Sequence, residues 1–136
     1  FRADALGMSF YPTSTARIEA RYDTFKEAVV RASTRIGKPV YIAEYAYAAG
    51  RVTYGGQDWA NPIEGYPCTP EGQARFIHDV ITWGVGKNLL SGIRPWAPDY
   101  VDGSWQGMAL FNKSDHGRSL ARPALSAIAN ALRKTL

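Results

Sequence analysis

The apolar positions change period along the chain, and each change marks an element. Asp4 to Pro12 is a short apolar stretch closed by Pro12, a strand candidate with Met8 and Phe10 on one face and Ser9 and Tyr11 on the other. A polar turn over 13–15 follows. From about Ala16 to Ile36, the residues Ile18, Tyr22, Phe25, Val29 and Ala32 or Ser33 recur every third or fourth position, the stripe of an amphipathic helix. Gly37 ends that helix and Pro39 prevents its return. The stretch 40–47 reads as a second strand, rich in β-branched and aromatic types. Strict alternation puts Val40, Ile42 and Glu44 on one face and Tyr41, Ala43 and Tyr45 on the other.

Thr69-Pro70-Glu71-Gly72-Gln73 opens a second helix, with Thr69 as the cap and Pro70 in the first turn. It carries Ala74, Ile77, Val80 and Ile81 and runs to about Val85, where Gly84 and Gly86 loosen its end. Leu89 to Pro98 is a third strand candidate, its ladder limited to the early part by Pro95. Ala109 to Asn112 is briefly extended, 114–118 is a turn, and 123–132 is a closing amphipathic helix with Leu125, Ile128, Ala129 and Leu132 on one face. The order β-α-β-α-β-α predicts an α/β fold with a parallel sheet and right-handed crossovers, in one domain over 1–136. Two loops stand out, 48–69 and 99–107. Loops this long in a compact domain are commonly functional, and their aromatic residues argue against disorder.

Composition narrows the function classes. A chain of 136 residues, 46% hydrophobic and 21% charged, is an ordinary globular size and balance. The net charge of +4 is spread along the chain with no basic run, so no nucleic-acid arm is indicated. No apolar run reaches the length of a membrane span. Cys68 is the one cysteine, which excludes an intrachain disulfide, and it sits in a Pro/Gly-rich loop without a patterned histidine. His78, in mid-helix, reads as a surface or packing residue and His116 as an exposed turn residue; no metal or cofactor set emerges. The abrupt start Phe1-Arg2-Ala3-Asp4, directly before a strand and with no leader visible, is what a processed or truncated chain would show.

The chemistry concentrates at the strand ends. Glu44 closes an apolar strand at its carboxyl end, the rim where α/β folds carry their active residues. A buried carboxylate without a partner is costly, so its position calls for a role. The bland reading is an ion pair with a nearby Arg or Lys, or a side chain in water. Ser9, Tyr11 and Trp96 end the neighbouring strands at the same rim. A carboxylate beside a phenol and an indole suits glycoside cleavage: the carboxylate attacks an anomeric carbon, the phenol orients it, and the indole stacks on the sugar.

At these residues the chain resembles a family. Gly7-Met8-Ser9-Phe10-Tyr11-Pro12, the run Gly37 to Tyr47, Tyr66-Pro67 with Thr69-Pro70-Glu71-Gly72-Gln73, Gly92 to Pro98, and Ala109-Leu110-Phe111 are similar, in that order, to the arabinogalactan endo-β-1,4-galactanases of glycoside hydrolase family 53. The resemblance implies a retaining hydrolase on a (β/α)8 TIM barrel, of which this chain supplies three βα units matching strands six to eight. It implies Glu44 as catalytic nucleophile. Ser9, Tyr11, Tyr47, Trp96 and Trp105 are the substrate-binding candidates, galactan the polysaccharide partner, and a secreted protein the setting. The family has Thr or Gly where this chain has Tyr45, and a Tyr-Trp-Glu-Pro run where this chain has Arg94-Pro95-Trp96-Ala97-Pro98. No calcium ligand set carries over. The family's acid/base glutamate lies on the fourth strand, which this chain does not match, and none of Asp58, Glu64, Asp99 or Asp102 corresponds to it. Three strands do not close a barrel, so the resemblance implies a fragment lacking the N-terminal barrel portion, or a homo-oligomer. A non-catalytic carbohydrate-binding or assembly module is the alternative, and a plain α/β domain whose long loop contacts a protein is the third reading.

Overall fold

The computed structural model describes residues 4–14, 21–114 and 116–135. The expected start of the first helix near Ala16 lies outside the described residues. In chain order the elements are β1 (Gly7–Phe10), α1 (Arg21–Ile36), β2 (Val40–Tyr45), β3 (Thr53–Tyr54), β4 (Gln57–Asp58), α2 (Pro70–Gly86), β5 (Leu90–Pro95), a 3-10 turn (Gln106–Met108), β6 (Phe111–Lys113), β7 (Ser119–Ala121) and α3 (Pro123–Thr135). β1, β2 and β5 form a three-stranded parallel sheet in sequential order, with α1 and α2 as the crossovers.

The core lies on one face of this sheet. Val40, Ile42, Tyr45, Phe10 and Leu90 join Phe25 and Val29 of α1, Phe76, Ile77, Val80 and Ile81 of α2, and Ala124 and Ala131 of α3 in one buried cluster. Each large side chain so buried contributes about 1.5–3 kcal/mol. Phe10 stacks on Phe25 with centroids 3.7 Å apart, and Phe76 touches the rings of Tyr22, Tyr45, Tyr47 and Tyr66. Helices on one face alone separate this sheet from the doubly wound type, whose helices cover both faces. The opposite face carries Gly7, Ser9 and Tyr41, all exposed, with Tyr41 at 39%. A parallel sheet with helices outside and a bare inner face is what a slice of a TIM-like barrel presents.

Thr69 caps α2 by accepting from the Gly72 amide at 3.1 Å, with Pro70 following, as its sequence predicts. Gly84 has a different role from the loosening its type suggests. A β-carbon there would fall 2.2 Å from Leu90 Cδ1, so the missing side chain lets α2 press onto β5.

The alternation expected along β2 fails at its end. Glu44 does not share a face with Val40 and Ile42: it is exposed, and Tyr45 takes the buried face instead. The ladder gives the reason. Met8 pairs Ile42 but Ser9 pairs Glu44, and Ile42 pairs Ile93 while Tyr45 pairs Pro95. β2 thus carries one extra residue against both neighbours, and a one-residue bulge turns every later side chain over.

Candidate active site

The bulge sends Glu44 to the open side of the rim. There the Tyr11 hydroxyl donates to Glu44 Oε2 at 2.8 Å. Tyr11 is the first residue past β1, so the same strand end that aligns Ser9 with Glu44 delivers the phenol. Burial, then the hydrogen bond to Glu44, pushes the Tyr11 pKa far above the usual tyrosine value, so the phenol stays protonated and remains a donor.

Trp96 arrives from β5. Its amide donates to Tyr45 O at 2.8 Å, carrying the ladder past Pro95. Ala97 follows at φ 41°, a left-handed conformation unusual for a residue with a β-carbon. That turn reverses the chain beside the site. Ala43, Glu44, Arg94, Pro95, Trp96, Ala97 and Pro98 line a cleft of ≈ 520 Å³. The Trp96 ring meets Tyr11 edge-on at 6.2 Å and Trp105 edge-on at 5.3 Å. Beyond it, Trp105 contacts Trp59 at 5.1 Å and Tyr54 at 4.8 Å. The result is a carboxylate held by a phenol at one end of a continuous aromatic wall.

Of the residues singled out from sequence, Glu44, Tyr11, Trp96 and Trp105 are brought together, and Ser9 lies exposed at the end of β1 opposite Glu44. Tyr47 is a correction. It is 0% exposed; its hydroxyl donates to Tyr66 O and accepts from the Ile63 amide, so it pins the long loop and offers nothing to a substrate. Of the loop carboxylates, Asp102 pairs with Lys113 at 3.1 Å, Asp58 accepts from the Ala60 amide, and Glu64 and Asp99 are exposed. Among the described residues no cluster of His, Cys, Asp or Glu could hold a metal ion.

Beside Thr13, two further polar residues are buried among the described residues, Gln73 and Arg122. Gln73, 1% exposed, donates from Nε2 to Tyr47 O at 2.8 Å and more weakly to Met108 O and Ala109 O. It stands three and four positions before Phe76 and Ile77, and a polar residue on an apolar stripe was its signal. Arg122 is buried and donates to Asn112 Oδ1, Gly107 O, Ala109 O and Gln106 O, clasping the 3-10 turn that follows Trp105. Burial lowers its pKa. Nothing in its sequence surroundings announces that role.

Residues 2–129 match the profile of glycosyl hydrolase family 53. A relative from Niallia circulans, described as an uncharacterized protein in the bgaB 5′ region, is 30% identical over 105 residues. The match covers 72% of this chain but 28% of the relative, so the chain spans under a third of that protein's length. No solved structure matches.

Proposed function

This chain belongs to glycosyl hydrolase family 53, and on that premise we propose that it is the nucleophile-bearing part of a retaining endo-β-1,4-galactanase. In this reading β1, β2 and β5 stand as strands six to eight of the barrel, and Glu44 attacks the anomeric carbon of a galactosyl unit in galactan. The observation that carries the reading is the Tyr11–Glu44 hydrogen bond of 2.8 Å beside the Trp96 cleft. A carboxylate that accepts from a phenol that stays protonated, at an open rim, is held in one orientation with its other oxygen left to react, the geometry a nucleophile needs. Trp96 supplies the apolar face for the sugar, and Trp105 braces it.

Retention needs a second carboxyl group about 5–5.5 Å from the nucleophile to protonate the leaving oxygen. Asp58 and Asp102 are engaged within their own loops, and in this reading the acid comes from the remainder of the barrel or from a second copy of the chain seated on the bare face.

An activated 2-fluoro-galactoside with a phenolate leaving group separates the two halves of the chemistry. Such a leaving group departs without protonation, so the Glu44 oxygen bonds to C1 as the C1–O bond to the phenol breaks, and no acid is required. Mass spectrometry should find the galactosyl ester on Glu44 and none in Glu44→Gln. Labelling of another residue, or of both proteins alike, removes Glu44 from the mechanism. The missing acid favours a second reading, a carbohydrate-binding module without catalysis. That reading requires tryptophan fluorescence to respond to galactan oligosaccharides while no ester forms.

A further inference from the structure

The aromatic wall does not stop at Trp105. Tyr54 lies against it with centroids 4.8 Å apart and planes inclined at 36°. Yet Tyr54 is 56% exposed, so much of its ring stays open to solvent while it rests against Trp105. Exposed tyrosine rings are ordinarily mobile side chains on a soft surface; this one is held. It ends β3, which pairs with β4 across Gly55 and Gly56, at φ 59° and 75°. Positive φ at both central residues is the turn that matches a hairpin's right-handed twist.

The hairpin's feet are anchored. Val52, just before it, is fully buried in a second small core with Ala46, Ala48 and Met108. Trp59, just after it, packs on that core, meets Trp105 edge-on, and donates its amide to Val52 O at 2.8 Å. A flat ring presented on a fixed hairpin costs little entropy to use in binding.

We propose that Tyr54, packed against Trp105, is an outlying platform for a galactosyl unit of an extended galactan chain, two ring contacts beyond Trp96. The inference rests on the galactanase reading and adds an outer subsite to it. Carbohydrate rings present an apolar face of C–H groups that fits an aromatic plane, while Thr53, Gln57 and Asp58 around Tyr54 are exposed polar residues suited to hydroxyl groups.

The test is isothermal titration of the full 136-residue chain with β-1,4-galacto-oligosaccharides from the disaccharide upward. The affinity of the parent should rise with length. Tyr54→Ala should weaken the longer oligosaccharides roughly fivefold to tenfold, as expected for one lost aromatic contact, and leave the shortest unchanged. Tyr54→Leu keeps apolar bulk on the hairpin but removes the flat face, and should lose the same increment; Tyr54→Phe should keep it. Parent-like binding of every length by Tyr54→Leu overturns the platform, as does a parent affinity that does not depend on length; both leave the galactanase reading standing. Failure of the parent to bind any length overturns both.

Discussion

Arg122 allows a sharp energetic test of how the aromatic wall is held. Replacing it with Met keeps the aliphatic volume and deletes hydrogen bonds of 2.7, 3.2, 2.8 and 3.0 Å. The three carbonyls are not orphaned by the change. Gly107 O still accepts from the Ala49 amide, Gln106 O from the Ala109 amide, and Ala109 O from Gln73 Nε2. The loss is therefore that of the charge-assisted bonds, each worth about 1.5–3 kcal/mol. Against it stands the relief of no longer burying a guanidinium, several kcal/mol in the other direction. The net destabilisation should be about 3 kcal/mol, within the range for breaking a buried polar network. For a chain of this size that is a fall of about 10 °C in Tm. Urea and thermal unfolding followed by circular dichroism measure it, and the near-ultraviolet spectrum should flatten as Trp105 loosens. Arg122→Lys should be nearly as costly, because a single ammonium cannot span acceptors spread from Gln106 to Asn112. Stability of Arg122→Met within about 0.5 kcal/mol of the parent, the range of a neutral surface change, would refute the reasoning.

Three further outcomes are expected. Tyr11→Phe removes the donor to Glu44 and should slow ester formation with the activated galactoside roughly tenfold, the rate equivalent of one charge-assisted bond; an unchanged rate would show that the phenol does not orient the acid. Burial, with help from Asp58, pushes the Cys68 thiol up to about 11, so native Cys68 should react with iodoacetamide at pH 8 far more slowly than in the urea-unfolded chain; equal rates would contradict that burial. Burial also pushes Tyr47 up to about 12 from an ordinary value of 10. The folded chain holds that proton more tightly than the unfolded one, so the contribution is complete below pH 10 and is lost as pH rises through 12. Thermal midpoints should fall steeply over that window, and Tyr47→Phe should flatten part of the slope; identical slopes would count against it.

The order of sheet strands and long helices was legible because each rests on local pattern: the stripe Phe25–Val29, the Thr69-Pro70 helix start, the apolar run Val40–Ile42. The rim was legible in content but not in orientation. Tyr11, Glu44 and Trp96 could be picked out by type and by their place at strand ends, yet the facing of Glu44 depended on a bulge set by pairing with β1 and β5, which alternation within β2 cannot reveal. Tyr47 misled for the same reason: beyond the bulge, its direction follows the loop that it hydrogen-bonds. The β3–β4 hairpin left a readable mark, the Gly55-Gly56 pair between short polar-aromatic arms. The β6–β7 hairpin was legible only as a brief extended segment before the 114–118 turn, and the Arg122 clasp left no mark, because its acceptors are mostly backbone carbonyls that no residue type announces.

The bare edges of β1 and β5 carry a cost during biosynthesis. Among the described residues neither edge has an outer neighbour, and an unfilled row of amides and carbonyls does not distinguish its rightful strand from any other extended peptide. Expressed alone, this slab should be prone to clumping and to capture by chaperones, and its yield would depend on how soon a matching strand reaches each margin.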